Sequence, residues 1–215
     1  MPIFEQGGTK VLFIHIPKSG GTSIENMLKQ YVTMTFHSPI PSSGLKVCPQ
    51  HLQINDFRIL FNQVPWNWIF TVVRNPYDRV ESEYFYRTED QLKKIGMRVN
   101  FSQWVVNNLT NAMRNRFLFD NHLRPQTDFI DGDVEVFKYE DGLHHIFPKL
   151  EEHFDIPEPL KLPHDNRSTP SEIQWTNEAL NLVADFYKDD FKQLNYSVRA
   201  PVVQFSEAQQ NAKCA

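Results

Sequence analysis

The chain has 215 residues, of which 40% are hydrophobic and 13% aromatic, and a formal net charge of −4 at pH 7. This composition is typical of one domain with a packed core, and the charge excludes a chain-wide basic surface for nucleic acid, so any anion site must be local. No apolar run approaches the roughly 18 residues that a membrane-spanning helix needs.

The cysteine content and the N-terminus bear on the compartment. Two cysteines, Cys48 and Cys214, make no disulfide framework. The first ten residues lack the charged and apolar regions of a secretory signal. We therefore expect a cytoplasmic protein, or a Golgi-lumenal one if an anchor has been removed from the chain. We expect one domain over residues 1–197 and a loose C-terminal tail over residues 198–215.

The first predicted unit is a strand, a turn and a helix over about residues 10–31. The apolar run VLFIHI predicts a buried strand, and apolar residues from Ile24 to Tyr31 follow helical spacing. Unpaired amides and the helix dipole favour an anion in the turn between them. Lys18 adds a positive charge, and Gly20 and Gly21 let an oxyanion approach the backbone. We predict that the turn binds a phosphate-like group through Pro17, Lys18, Ser19, Gly20, Gly21, Thr22 and Ser23.

The order of residues in this turn bears on which class of phosphate compound it could bind. The nucleoside-triphosphate loop G-x-x-x-x-G-K-[ST] places its lysine after the glycines, whereas Lys18 precedes them. The dinucleotide pattern G-x-G-x-x-G is absent as well. A relative of the P-loop kinases is therefore disfavoured, and a plain strand–turn–helix connection without a ligand is the structural alternative.

The rest of the chain alternates between strand and helix patterns. We predict strands at residues 68–73 and 134–139, and helices after Asn75 and Pro76, at 101–119, at 143–154 and at 176–194. Residues 35–50, 88–100 and 162–172 are predicted to be loops or irregular segments. This alternation predicts an α/β domain with a central parallel sheet, helices on both faces and a ligand site at the carboxyl ends of the strands.

Two residues near the second predicted strand mark another candidate anion site. Arg74 directly follows the strand, and Ser82 lies eight residues later on the predicted helix. Taken alone, the pair is explained equally well by an anion site and by structural roles, with the arginine capping the sheet and the serine on a solvated face.

The two blocks together, FIHIPKSGGTS and VVRNPYDRVESEYF, strongly resemble the sulfotransferase superfamily. The resemblance implies a P-loop-like architecture and 3′-phosphoadenosine 5′-phosphosulfate as donor. It implies that the first loop holds the 5′-phosphosulfate and that Arg74 and Ser82 bind the 3′-phosphate.

Weaker similarities extend over about residues 10–196. VFKYEDG resembles a family strand that places Tyr139 near the adenine, and NRS at 166–168 resembles a late loop over the nucleotide. The family triplet RKG is missing, so Arg167 is only a substitute for it. HLRPQTDFI, residues 122–130, resembles a segment of carbohydrate sulfotransferases. The resemblance therefore lies nearer the carbohydrate branch, with its Golgi-type and bacterial members, and implies a glycan as the hydroxyl acceptor.

Sulfuryl transfer requires charge stabilisation on the leaving oxygen and a base for the acceptor hydroxyl. Lys18 suits the first task, and a histidine suits the second. The resemblance marks His51 as the base, with His122 as its rival or as a residue that orients the acceptor. His15 lies in the first strand and is expected to be a core or near-site histidine. We expect no metal, because the donor carries a good leaving group and no Cys/His spacing suggests zinc.

Other interpretations stay open at the level of the sequence. The chain could be a kinase-related nucleotide-binding protein, or a regulatory domain that binds a nucleotide without catalysis. Arg87, Lys93, Lys94 and Arg98 could meet an acidic glycan, although a solvated helix face explains them as well. Trp66, Trp68 and Trp104 could stack on sugars, but core packing is the simpler expectation.

Overall fold

Five strands form one mixed sheet in the computed structural model, which describes residues 1–37, 44–162 and 173–201. The strands are β1 (Ile3–Gln6), β2 (Thr9–Ile14), β3 (Thr33–Thr35), β4 (Trp68–Val73) and β5 (Glu135–Lys138). Their order across the sheet is β3-β1-β2-β4-β5. Strands β2, β4 and β5 are parallel, so their carboxyl ends share one edge.

The N-terminal hairpin makes the sheet mixed and corrects the expectation of a purely parallel sheet. Strand β1 pairs antiparallel with both β2 and β3. Gly7 and Gly8 connect β1 to β2 with φ angles of 58° and 91°. A two-residue hairpin turn with both φ angles positive strongly favours glycine, because a side chain is strained there. Neither β1 nor β3 was expected from the sequence.

Seven α-helices lie within the described residues. They are α1 (Gly21–Leu28), α2 (Ile54–Leu60), α3 (Pro76–Ile95), α4 (Phe101–Arg114), α5 (Phe147–His153), α6 (Asn177–Phe186) and α7 (Lys188–Gln193). The predicted cap is confirmed, since the Asn75 side chain accepts a hydrogen bond from the Tyr77 amide at 3.0 Å. The prediction of an irregular segment from residue 88 was wrong, because α3 continues to Ile95. The last predicted helix is divided into α6 and α7, and α2 was not expected.

The alternation of side chains along the strands builds a core on each face of the sheet. Val11 and Phe13 of β2 pack with the residues of α1 and α5, whereas Leu12 and Ile14 pack on the opposite face with Phe57 of α2. A separate apolar cluster joins α3, α4 and α6. The α/β architecture is thus confirmed, with helices on both faces of the sheet.

Two further expectations concern residues outside the described ranges. Arg167 and the surrounding NRS segment lie outside them, as do Cys214 and the tail after residue 201. Within the described ranges, no helix combines the length and the apolar character needed to cross a membrane.

Candidate active site

The parallel strand ends bring three predicted site residues together. Lys18 follows β2 after a short connection, Arg74 follows β4 directly, and Tyr139 follows β5 directly. Arg74 donates a hydrogen bond from Nη1 to the Lys18 carbonyl at 3.3 Å. Its guanidinium also lies 4.6 Å from the centre of the Tyr139 ring. The residues that sequence reasoning assigned to one nucleotide therefore meet at one edge of the sheet.

The turn between β2 and α1 requires glycine at two places. Gly20 has a φ of 86°, and a Cβ atom there would lie 3.0 Å from Cε2 of Tyr139. A Cβ atom on Gly21 would lie 2.7 Å from Cε1 of His15. The start of α1 has no side-chain cap. Because glycines expose these backbone amides, the turn can present them to an anion.

Several buried hydrogen-bond donors near this edge have no partner among the described residues. They are Ser19 Oγ, Arg74 Nε and Arg79 Nη1, with Ser19 only 1% exposed. Buried donors without a partner are costly, so they point to a ligand that satisfies them. Thr22 is exposed and Ser23 is buried, while Ser82 is partly exposed on α3.

The Lys18 ammonium lies beside the ring of Tyr86, 4.2 Å from its centre. Burial lowers the pKa of Lys18, and the positive charges of Arg74 and Arg87 lower it further, whereas the carboxylate of Glu83 raises it. The turn is thus a strongly cationic site with one buried negative charge close to it.

Three histidines form a row, and each is paired through Nδ1 with a carboxylate. The pairs are His15 with Glu25, His51 with Asp120, and His122 with Glu83. The Nδ1-to-carboxylate distance is 2.7 Å at His51 and 2.8 Å at His122. The His51 ring centre lies 5.3 Å from that of His15 and 4.8 Å from that of His122, both edge to face. His51 and His122, the two candidate bases, are therefore neighbours.

Electrostatics makes these imidazoles neutral and their partners charged. Burial is the largest influence on the pKa of each of the three histidines and lowers it; the carboxylate partner raises the pKa, but the net effect is a pKa below the ordinary value. Burial raises the pKa of Asp120, but hydrogen bonds from His51 and Cys48 outweigh it and hold that pKa at about 2. A neutral ring that donates from Nδ1 keeps a lone pair on Nε2, which is the form that a general base needs.

Arg79 joins the turn after β2 to the segment that contains His122. Its side chain is 2% exposed. Nε donates to the Pro17 carbonyl at 3.1 Å, and Nη2 donates to the carbonyls of His122 and Arg124 at 2.7 and 2.8 Å. Sequence reasoning missed this residue, although its position between Arg74 and Ser82 is a signal that could have drawn attention to it.

Gln126 and Asp190, also missed, hold Arg74 in place. The Gln126 side chain accepts from the Arg74 amide at 2.9 Å and donates to the Arg74 carbonyl at 2.8 Å. Asp190 of α7 accepts from the amides of Gln126 and Thr127, both at 2.9 Å. The HLRPQ segment therefore holds Arg74 in place as well as supplying His122.

Asp120 is placed by an unusual turn. Phe119, Asp120 and Asn121 have φ angles of 53°, 59° and 65°, a left-handed run that costs energy for residues with side chains. Asp120 Oδ2 receives hydrogen bonds at 2.7 Å from both Cys48 Sγ and His51 Nδ1. The left-handed turn therefore carries the carboxylate that orients His51.

Cys48 is a neutral donor in this cluster. Burial and the contact with Asp120 raise its pKa to about 12, which argues against a thiolate nucleophile. Among the described residues, Cys48, His51 and Asp120 are the one group of three potential metal-ligand atoms, all within 4.8 Å of one another. These atoms are hydrogen-bonded to one another, so the cluster is explained by its role in holding the His51 ring.

Comparison with known proteins identifies a family. A family model described as the sulfotransferase family matches residues 2–197, a range that contains all the site residues named above. Searches of curated proteins and of solved structures give no significant match.

Proposed function

The chain belongs to the sulfotransferase family, whose members transfer sulfate, and on that premise we propose a specific reaction. The donor is 3′-phosphoadenosine 5′-phosphosulfate, and the acceptor is a hydroxyl of a carbohydrate. The observation that carries the proposal is the meeting of Lys18, Arg74 and Tyr139 at one sheet edge, together with buried donors that lack partners.

The donor uses groups that the folded chain leaves available. The amides of the turn, Ser19 Oγ and Lys18 bind the 5′-phosphosulfate. Arg74 Nε and the Ser82 hydroxyl bind the 3′-phosphate, and the Tyr139 ring lies near the adenine. Arg167 is the proposed residue of the late loop. These residues fit the donor, because a nucleotide with two separate anionic groups would satisfy hydrogen-bond donors that are otherwise buried without partners.

Transfer of the sulfuryl group proceeds in line from the donor to the acceptor oxygen. Charge develops on the phosphate oxygen that leaves, and Lys18 is the charged group suited to stabilise it. The acceptor hydroxyl loses its proton to the Nε2 atom of a histidine. Positioning and charge stabilisation supply the rate enhancement, as in phosphoryl transfer.

We assign the proton transfer to His122 and the orientation of the acceptor to His51, the reverse of the sequence-based expectation. Arg79 binds the carbonyls of both Pro17 and His122, which couples His122 to the turn. The ring of Tyr86 stacks on His122 at 5.9 Å and also contacts the Lys18 ammonium. His51 lies one position further along the row, against His15 and His122.

A carbohydrate acceptor is supported by the surroundings of His122. Tyr86 is 56% exposed, and an exposed aromatic ring beside the base is a suitable surface for a sugar face. The three tryptophans considered above pack against the apolar clusters instead. Lys93 pairs with Glu89 on α3, and both side chains are exposed, in keeping with a solvated helix face.

Donor recognition is tested with Arg74→Ala. Calorimetry should show a large loss of affinity for adenosine 3′,5′-bisphosphate and a small loss for adenosine 5′-phosphate, because only the first ligand has the 3′-phosphate. Arg58→Ala, which removes a surface arginine paired with Asp131, is the matched control. Equal losses for both nucleotides would overturn the assignment, and tighter binding of ATP would favour a kinase-related protein.

The base assignment is tested by transfer of labelled sulfate from the donor to a panel of saccharides. We expect His122→Ala to lose about a hundredfold or more in turnover, the scale of general-base catalysis. His51→Ala should act mainly on the acceptor KM. A fully active His122→Ala enzyme would return the role to His51. Nucleotide binding without any transfer by the unmodified protein would favour a regulatory domain.

A further inference from the structure

Glu83 is a buried carboxylate between the donor and acceptor sides of the site. It follows Ser82 on α3, and its side chain is 1% exposed. It accepts hydrogen bonds from His122 Nδ1 at 2.8 Å and from Arg87 Nε at 2.6 Å. Its charge also acts on Lys18, whose ammonium lies 4.2 Å from the centre of the Tyr86 ring that stacks on His122. A single side chain therefore contacts the proposed base and influences the cation of the anion-binding turn.

We propose that Glu83 is a positioning residue that holds His122 with its Nε2 lone pair directed to the acceptor, at a cost in affinity for the donor nucleotide. The inference rests on the proposed function, since it gives His122 the role of base. Glu83 acts through His122 and touches neither substrate.

The hydrogen bond to Glu83 determines which ring nitrogen carries the proton. An ionised carboxylate only accepts, so His122 must donate from Nδ1 and keep its lone pair on Nε2. The carboxylate also stabilises the imidazolium that forms when the acceptor proton arrives. The hydrogen bonds from His122 and Arg87 outweigh the effect of burial and keep the pKa of Glu83 below its ordinary value.

The cost follows from the sign of the charge. A buried anion near Lys18 opposes the binding of a second anion, and buried charges are weakly screened. A carboxylate at this position therefore raises the basicity of His122 and lowers the attraction for the nucleotide. A variant with a damaged fold would lose both turnover and nucleotide affinity. Loss of the Glu83 charge alone should lower turnover without lowering nucleotide affinity, so the two cases can be separated.

The other groups that face His122 limit the interpretation of pH profiles. Tyr86 and Arg87 approach it from α3, and His51 approaches it from the segment before α2. His51 carries its own carboxylate partner, Asp120. Glu83 is the acidic group bonded directly to His122, so its removal should lower the pKa of that ring.

The decisive variant is Glu83→Gln, which keeps the size and a hydrogen-bonding oxygen but removes the charge. We expect turnover to fall at least tenfold, the acidic limb of kcat to move to lower pH, and adenosine 3′,5′-bisphosphate to bind as tightly as before or tighter. Glu81→Gln is the matched control on the same helix, where Glu81 contacts Trp175 and Arg199 instead. Parallel losses of turnover and affinity, or no loss of turnover, would overturn the proposal.

A double-mutant cycle tests whether Glu83 acts through His122. The effects of Glu83→Gln and His122→Ala on turnover should be strongly non-additive, because residues in one hydrogen-bonded unit are coupled. Additive effects would overturn the proposal.

A readout without turnover separates this inference from the proposed function. Imidazole ¹⁵N resonances of His122 should report the tautomer with the proton on Nδ1, and Glu83→Gln should change that pattern while Glu81→Gln should not. If the unmodified protein transfers no sulfate but the resonances respond in this way, the function fails and the positioning role stands. Unchanged resonances in Glu83→Gln would overturn the positioning role itself.

Discussion

Lys18 combines a strained backbone with a partly desolvated charge. Its φ of 68° lies in the left-handed region, which costs a residue with a side chain roughly 1–2 kcal/mol. Burial lowers the pKa of its ammonium group. Strain of this kind persists only where the surroundings fix it, and it is frequent at functional sites. The ammonium lies over the face of the Tyr86 ring.

We expect Lys18→Ala to reduce turnover more than it reduces donor affinity. The bridging oxygen gains charge only as its bond to sulfur breaks, so the lysine stabilises the transition state more than the ground state. Loss of one preorganised donor typically costs about a hundred- to a thousandfold in kcat. Steady-state kinetics at saturating donor, with calorimetry of adenosine 3′,5′-bisphosphate, gives both numbers. Near-normal turnover would make Lys18 a binding residue only.

Strand β1 and the C-terminal end of α3 both have local signals in the sequence. The pair Gly7-Gly8 between two apolar runs is a hairpin signal that could have revealed β1. The extension of α3 is explained by the Glu89–Lys93 pair and by Gly96, whose φ of 72° ends the helix. Helix α2 depends on tertiary packing, since its Phe57 contacts Phe36 and Trp66 outside the helix. Short helices stabilised in this way have weak local signals.

The candidate site shows the same division between local motif and tertiary contact. The turn after β2, Arg74 and Tyr139 could be predicted because short motifs at strand ends identify them. The carboxylates Glu83 and Asp120 could not, because their partners His122 and His51 lie 39 and 69 residues away in sequence. Such pairs depend on how the segments pack, which periodicity does not report.

Helix α7 supports the site through Asp190. Replacement of this aspartate should destabilise the fold. We expect Asp190→Ala to lower the free energy of unfolding by about 1.5–3 kcal/mol, the range for hydrogen bonds to a charged group. The amides of Gln126 and Thr127 lose their acceptor in this variant. Urea unfolding measures the change, with the exposed neighbour Asp189→Ala as control. If both variants unfold alike, Asp190 is not a support of this segment.

At the scale of the whole molecule, the buried histidines predict a loss of stability in mild acid. Burial lowers the pKa of His15, His51 and His122 in the folded state. Below the ordinary histidine value of about 6.5 the unfolded chain therefore binds more protons, and the free energy of unfolding falls as the pH falls. Each such histidine contributes a slope of up to about 1.4 kcal/mol per pH unit.

Urea unfolding at several pH values between 7.5 and 5.5 checks this prediction. The slope should shrink when His15 is replaced by glutamine, because one of the three groups no longer titrates. Asp120 acts in a separate window, since its pKa of about 2 means that its contribution is lost only as the pH falls below its ordinary value of 3.8 towards 2. A free energy of unfolding that stays constant down to pH 5.5 would contradict neutral histidines in the folded protein.

The contacts of Arg79 have a consequence for the order of events in catalysis. One buried guanidinium holds the carbonyls of Pro17, His122 and Arg124, so the turn and the histidine segment cannot separate without losing several charge-assisted hydrogen bonds. The spacing between the turn after β2 and the segment that contains His122 is therefore set before any ligand binds. Neither substrate has to create the binding surface of the other, and initial-rate patterns should follow random rather than compulsory addition.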